Sequence, residues 1–318
     1  MDALLSARGA RRDTLEELAN AVRRELTRRG EAPPPSWVEE LAEELASGRT
    51  PGWYQSSEAG SALGFYSRRP TAAFGHVHVD GGSEAVERAI RLIDAIRADL
   101  PPEVANLDIG FTGLQPYEEG QLGARLEKRP RVAVLRRMAM DRPITEADAR
   151  PISSVPVGIR HYPVRSIPRE ALVELDYRAF QGTIDAHLIG TERAEYARMM
   201  DELVSGRLGR FVDEASTTLV DATSGALWGG ILTAEQNPRL AIYLDVMVEP
   251  SQRRHGLGRY LVRWGFRALS ALGYTSVRLW VTEGNVPART LYEALGFSRV
   301  ASAIVYRESG PIGQPQLG

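Results

Sequence analysis

Cysteine is missing from the chain altogether. Its absence excludes disulfides, thiolate metal sites and a cysteine nucleophile, and leaves the cellular compartment open. A surplus of either charge is missing too: 39 Lys and Arg against 41 Asp and Glu leave a formal net charge of −2. That disfavours a general polyanion binder, so no nucleic-acid partner is expected, and a basic cluster such as Arg253-Arg254 needs a local explanation. No apolar run approaches the ~20 residues of a membrane span, and the opening "MDALLSARGARRDTLEEL" has no apolar segment followed by a cleavage site. The expectation is a cytoplasmic protein with no membrane partner.

What is present is ordinary globular composition, 43% apolar and 25% charged. At 318 residues the chain is long for one average domain and suits two, each with its own core. Asp13-Thr14-Leu15-Glu16 and Ser36-Trp37-Val38-Glu39 read as capping boxes, separated by "APPP" at 32–35. Behind them Leu15, Leu18, Val22 and Leu26, then Val38, Leu41 and Leu45, recur at helical spacing. Short β-prone pieces between Trp53 and Val79 suggest antiparallel strands. An amphipathic helix over 83–99 capped by Ser83, a strand "NLDIGFT", a short helix around 118–127 and a strand "RVAVLRRMAM" complete a first half, residues 1–140. The polar, proline-containing "DRPITEADARPISSVP" marks a linker over 141–157.

Over 158–318 the same order of elements returns. Glu44-Leu45-Ala46-Ser47-Gly48-Arg49 parallels Glu202-Leu203-Val204-Ser205-Gly206-Arg207, and Leu122 to Leu126 sits where Leu291 to Leu295 sits. Two matches in one order on corresponding elements favour a tandem duplication.

The second half carries the chemistry. The apolar "LAIYLDVMVEP" reads as a buried strand that runs through Pro250 into a helix beginning near Gly256. The first N–H groups of a helix have no internal partner and sit at the positive end of its dipole, which makes an anion site. Gly256 and Gly258 remove β-carbons that would hold a phosphate away, and Arg253 and Arg254 add full charge. The other reading is a helix start whose glycines serve packing and whose arginines are solvated. There is no G-K-[ST] as in a P-loop and no full dinucleotide fingerprint.

Arg253-Arg254-His255-Gly256-Leu257-Gly258 resembles the R/Q-x-x-G-x-G/A signature of the GNAT acetyltransferases. At the right distance, Asn285, Ala288 and Tyr292 reproduce that family's N-x-x-A-x-x-x-Y pattern, with Gly-Phe following. The resemblance is good over 158–307 and rests on element order over 13–140. It implies an α/β fold of two tandem GNAT domains, each a mixed, mostly antiparallel central sheet flanked by helices. It also implies acetyl-CoA as acyl donor, with no metal, and a small-molecule primary amine as acceptor, in a monomer or homodimer.

By the same resemblance, the backbone of Val246, Met247 and Val248 holds the acetyl and pantetheine groups. That of Arg254, His255, Gly256, Leu257, Gly258 and Arg259 holds the pyrophosphate. Tyr292 is the position of the general acid, and a phenol is protonated at neutral pH. Asn285 contacts cofactor or the neighbouring strand. For the base, simple register puts Ile242 where some relatives carry a glutamate, so Asp245 and Glu235 are the nearest candidates. Trp228 and Tyr243 are aromatic candidates for an acceptor pocket or for core.

The first half departs from the pattern at both places. Asp80-Gly81-Gly82-Ser83-Glu84 has no arginine and two carboxylates, and Gly123 stands where Tyr292 would. It reads as a degenerate copy without catalysis. His76 and His78 form an H-x-H pair without a third ligand nearby in sequence, so core or surface histidines are expected. The expectation overall is an N-acetyltransferase with its site in the second half. The alternative is a non-catalytic acyl-CoA sensor.

Overall fold

The computed structural model describes residues 3–310 and 312, apart from 30, 32, 35, 58–59, 69–71, 153–155, 190–191 and 207. Parts of the expected "APPP" separator, of the expected linker and of the Glu202–Arg207 match thus lie outside the described residues. The chain forms two compact units: Met1–Arg137 with Ser302–Gly318, and Met138–Ala301. The closing residues, expected with the second half, therefore belong to the first unit, and residues 138–157 belong to the second.

In the first unit the order is β1 (Leu5–Ser6), α1 (Arg12–Arg28), α2 (Trp37–Ser47), β2 (Gly52–Ser57), β3 (Gly60–Arg68), β4 (Ala72–Val79), α3 (Ala85–Asp99), β5 (Asn106–Thr112) and α4 (Pro116–Leu126). Strand β6 (Val132–Pro143) then leads into the second unit. Leu15, Leu18 and Val22 of α1 pack on Val38, Leu41 and Leu45 of α2, as their three- and four-residue spacing demands. Neither expected capping box forms. Asp13 lies inside α1 and bonds the Thr14 N–H and Arg11, while Ser36 precedes α2 with no side-chain cap bond to it. Helix α3 starts after Glu84 rather than Ser83.

The second unit continues with β7 (Ile159–Pro163), α5 (Arg169–Phe180), α6 (Ala186–Ile189), α7 (Arg193–Ser205), β8 (Arg210–Phe211) and β9 (Thr217–Asp221). Next come β10 (Leu227–Asn237), β11 (Leu240–Val248), α8 (Leu257–Ala271), β12 (Ser276–Thr282), α9 (Val286–Glu293) and β13 (Ser298–Ser309). Strand β13 passes from the second unit into the first at Ser302. There Val305–Ser309 lie opposite Asn106–Gly110 of β5, and Arg97 grips Glu308 at 2.6 and 2.7 Å.

Strands pair in both directions in each unit. The order in the first is β1-β2-β3-β4-β5-β13 and in the second β6-β12-β11-β10-β9-β7, with β8 beside β10. In each, one parallel pair spans a crossover helix: β4 with β5 around α3, and β11 with β12 around α8. The sheet of the second unit has a core on each face. One is built with α8 from Ala241, Tyr243, Leu261, Val262 and Phe266, and the other with α5 and α7 from Leu175, Tyr196, Leu232 and Met247. Among the described residues no helix is long and apolar enough to cross a membrane.

At Gly265 of α8 a β-carbon would lie 2.5 Å from the hydroxyl of Tyr243 on β11. Gly265→Ala is therefore expected to destabilise the protein by about 1–3 kcal/mol despite alanine's better helix propensity. Denaturant unfolding of Gly265→Ala, Tyr243→Phe and the double variant checks this. The double variant should recover only part of the loss, because ring carbons remain 2.9 and 3.0 Å from the new methyl.

Candidate active site

The parallel pair β11–β12 is joined only over Leu240–Tyr243 and Ser276–Leu279. Beyond Tyr243 the two strands part, and the edge of β11 from Leu244 to Val248 faces no ladder partner on β12 among the described residues. On its other side β11 keeps its pairing to β10, but with one residue too many. Tyr243 lies opposite Thr233 and Asp245 opposite Leu232, so Leu244 is an inserted bulge residue. A bulge turns the following side chains to the opposite face. Ala241 and Tyr243 thus join the α8 core, Leu244 and Met247 the α5 core, and Val246 and Val248 the α8 core again. Asp245 is delivered to the α5 side, buried and facing Asp176.

At the open end of the cleft lies the loop from Pro250 to Gly256. Arg254 has φ +68° and Gly256 φ +83°, and helix α8 begins without any side-chain cap. A non-glycine residue in the left-handed region is uncommon, and it is found where backbone N–H groups must converge. The N–H groups of residues 254–259 have no partner among the described residues. A β-carbon on Gly256 would meet nothing within 4 Å, so its glycine serves backbone conformation. Gly258 also meets a packing demand. A β-carbon there would lie 3.3 Å from Leu291, so this glycine lets α9 pack on α8. Arg254, His255 and Arg259 are exposed, while Leu257 is buried in the core. Arg253 is engaged: it donates to the Ala179 carbonyl at the end of α5, and Arg178 pairs with Glu249 at 2.8 Å. Helix α5 thus anchors a loop whose remaining donors suit a pyrophosphate.

Asn285 caps α9, accepting the Ala288 N–H at 3.2 Å, and its amide donates to Asp185. The Thr282 hydroxyl donates to the same carboxylate, so Asp185 clips together the end of β12 and the start of α9. Ala288 and Tyr292 pack against the α8 core beside Val246 and Val248, and Tyr292 meets the Phe297 ring edge-on at 5.7 Å. Burial pushes the carboxyl pKa values of both Asp176 and Asp245 upward, and the neighbouring Asp245 charge adds to the effect on Asp176.

The other carboxylate candidate is elsewhere. Glu235 lies opposite Ala241, at the closed end of β11, about 16 Å of strand from Val246. It is held by Arg210 at 2.5 Å and by the Tyr274 hydroxyl at 2.6 Å, which lower its pKa. Tyr243 is core, stacked on Phe266 and donating to the Val262 carbonyl at 3.3 Å, and Trp228 packs against the same core. Two residues escaped notice in the sequence. Asp176 interrupts the buried face formed by Leu172, Val173, Leu175 and Ala179, a visible anomaly on an amphipathic helix. Asp185 follows α5 in a segment with no periodicity to mark it.

The corresponding place in the first unit is closed. β4 and β5 pair over seven residues, from Ala72↔Asn106 to His78↔Thr112. His76 Nε2 and His78 Nδ1 each lie 2.9 Å from the Thr112 hydroxyl, and burial pushes the His76 pKa down to about 3. The Gly82 N–H, in the loop ahead of α3, donates to Glu118 at 2.7 Å. A carboxylate of the protein therefore occupies the donor that an anion would use. No cluster of metal-ligating side chains occurs among the described residues.

These features match known proteins. The model of the acetyltransferase (GNAT) family matches residues 172–297. A mycothiol acetyltransferase of Thermobispora bispora is 31% identical over 212 residues, covering 64% of this chain and 68% of its own. Among solved structures, a GCN5-related N-acetyltransferase from Sphaerobacter thermophilus superposes with TM-score 0.62 at 18% identity, covering 95% of this chain and 94% of its own. A tandem GNAT protein from the clavulanic acid biosynthesis pathway superposes with TM-score 0.55 at 17% identity, covering 99% of each chain. An α/β chain of two GNAT-like units with an open strand pair, unpaired helix-start amides and this degree of identity belongs to the GNAT acetyltransferase family.

Proposed function

We propose that the second unit transfers an acetyl group from acetyl-CoA to the primary amine of a small molecule by direct attack. The observation that carries this is the parting of β11 and β12 beyond Tyr243, which ends at the unpartnered N–H groups of residues 254–259. The amides of Arg254, His255, Gly256, Leu257, Gly258 and Arg259, with the exposed Arg254 guanidinium, bind the pyrophosphate. The free edge of Val246, Met247 and Val248 binds the pantetheine and acetyl groups as a further strand would, and an N–H there stabilises charge developing on the thioester oxygen.

The two faces of β11 divide the proton work. Tyr292 lies on the α8 side with Val246 and Val248, and its phenol protonates the departing thiolate. Asp245 lies on the α5 side, where its carboxylate accepts a proton from the incoming amine. Glu235, 16 Å or so away along the strand, takes no part. Asn285 and Ala288 act through structure: the first caps α9 and joins Asp185, and both help set Tyr292 in place. The T. bispora relative makes a mycothiol-type amine the first acceptor to assay, beside aminoglycosides, polyamines and protein N-termini.

Steady-state acetyl transfer with this panel tests the reading, and CoA binding without turnover across it would favour a non-catalytic sensor. Arg254→Glu is expected to weaken CoA binding roughly 10- to 100-fold, as loss of a charge-assisted bond does, measured by calorimetry. Tyr292→Phe is expected to lower kcat about 10²-fold or more with little change in CoA affinity, and full activity in this variant would remove Tyr292 from the role. Titration of the intact chain is expected to show one CoA per chain. A second site of similar affinity would mean that the first unit also binds.

A further inference from the structure

On α5, Asp176 shares the inward face with Leu172, Val173, Leu175 and Ala179, and none of its surface is exposed. Among the described residues no N–H or O–H donates to either of its carboxyl oxygens. The group it faces is the Asp245 carboxyl, brought to this side by the bulge at Leu244. Two ionised carboxylates facing each other in a buried site repel strongly, whereas one proton between them satisfies both. The surroundings supply no other charge balance. Tyr196 of α7 is the titratable neighbour of Asp176, a neutral phenol with Gln181 beside its hydroxyl. Asp185 is the neighbour of Asp245, and its oxygens are taken up by Thr282 and Asn285. Among the described residues no cation acts on either carboxyl of the pair.

We propose that Asp176 is a positioning residue that keeps a proton and donates it in a hydrogen bond to Asp245, holding Asp245 as the carboxylate that faces the acceptor amine. This rests on the acetyl-transfer reading. In the transfer, the amine nitrogen bonds to the thioester carbonyl carbon and the C–S bond breaks. One N–H proton passes to Asp245, the thiolate takes the Tyr292 proton, and both groups re-equilibrate with solvent. Amine and thioester become amide and thiol, and Asp176 holds its own proton throughout. The single negative charge of the pair favours acceptors that arrive as ammonium ions; such an acceptor first releases one proton to solvent, and the neutral amine then attacks.

Two substitutions test this. Asp176→Asn imitates the protonated acid, being neutral, isosteric and a donor, while Asp176→Leu keeps the volume and removes the donor. The first readout is thermal unfolding of the unliganded protein from about pH 5 to about pH 9. A carboxyl whose pKa is raised by folding holds a proton that the unfolded chain releases above ~4, so its contribution to stability falls as pH rises toward the folded pKa. Asp176→Asn removes that dependence. Its Tm is expected to gain several degrees on the wild type between the two ends of the range. Parallel Tm profiles would overturn the shared proton, whatever the activity. The second readout is the pH dependence of kcat/KM for the amine. Asp176→Asn should keep kcat within about threefold and retain the acidic limb. Asp176→Leu should move that limb up by roughly one pH unit and lower kcat/KM about tenfold at neutral pH, with the KM for acetyl-CoA unchanged. An unshifted profile in a folded Asp176→Leu would overturn the positioning role. If the wild type acetylates no amine, the acetyl-transfer reading fails, and the Tm comparison still decides whether the proton is shared.

Discussion

Parallel strands joined by a crossover helix ordinarily stay paired, because each unmade backbone bond in a buried sheet is costly. β11 and β12 give up that pairing after Tyr243 and Leu279, and the proposed site depends on the gap. The gap is held from both sides. The bulge at Leu244 redirects β11 while it remains bonded to β10, and Asp185 ties the end of β12 to the cap of α9. Helix α8 then starts at the mouth of the opening, on a backbone bent through the left-handed region at Arg254 and Gly256. Exposed amides there are solvated, so the unliganded chain tolerates them at little cost. A ligand with phosphates at one end and amide groups along its arm can use both sets of free backbone groups.

The first unit shows what the same elements do when the pairing is kept. β4 and β5 remain joined to His78 and Thr112, and two neutral histidines share the threonine hydroxyl where the second unit has open edge. Ahead of α3, Glu118 accepts the Gly82 N–H. Strand pairing satisfies the backbone that a pantetheine arm would need, and an internal carboxylate satisfies a donor that a phosphate would need. On the proposed reading, closing the cleft and satisfying the loop would remove binding without altering the order of elements.

That order, and the repeat, were readable from periodicity and turn residues, because they depend on local pattern. The uncapped helix start proposed to bind an anion was marked there too, since its glycine and arginines sit in one short stretch. Three features were not readable. The bulge at Leu244 has no residue signature, yet it decides which way Asp245 points, and simple alternation would have put that side chain with Tyr243 against α8. Glu235 was separated from Asp245 by strand length, which sequence proximity hides across the β10–β11 hairpin. The passage of β13 into the first unit at Ser302 is a tertiary choice between two similar sheets, and no local propensity records it. Asp176 occupies an intermediate place, because an aspartate on an apolar helix face is visible as an exception but does not disclose its partner.

The two kinds of unsatisfied group differ in what they cost the fold. Unbonded N–H groups at an exposed helix start exchange water for ligand and cost little while they wait. A buried carboxyl pair has no such refuge, and an apolar pair of the same volume in its place is often neutral or stabilising. Packing alone therefore gives no reason for Asp176 and Asp245 to face each other between α5 and β11. Their place does give one. They border the free edge of β11 on the face opposite Tyr292, so an acyl group lying along that edge would have a proton donor on one side and a proton acceptor on the other. An amine attacking from the α5 side and a thiolate leaving toward the α8 side would each meet the group it needs, without either residue having to change protonation partner midway.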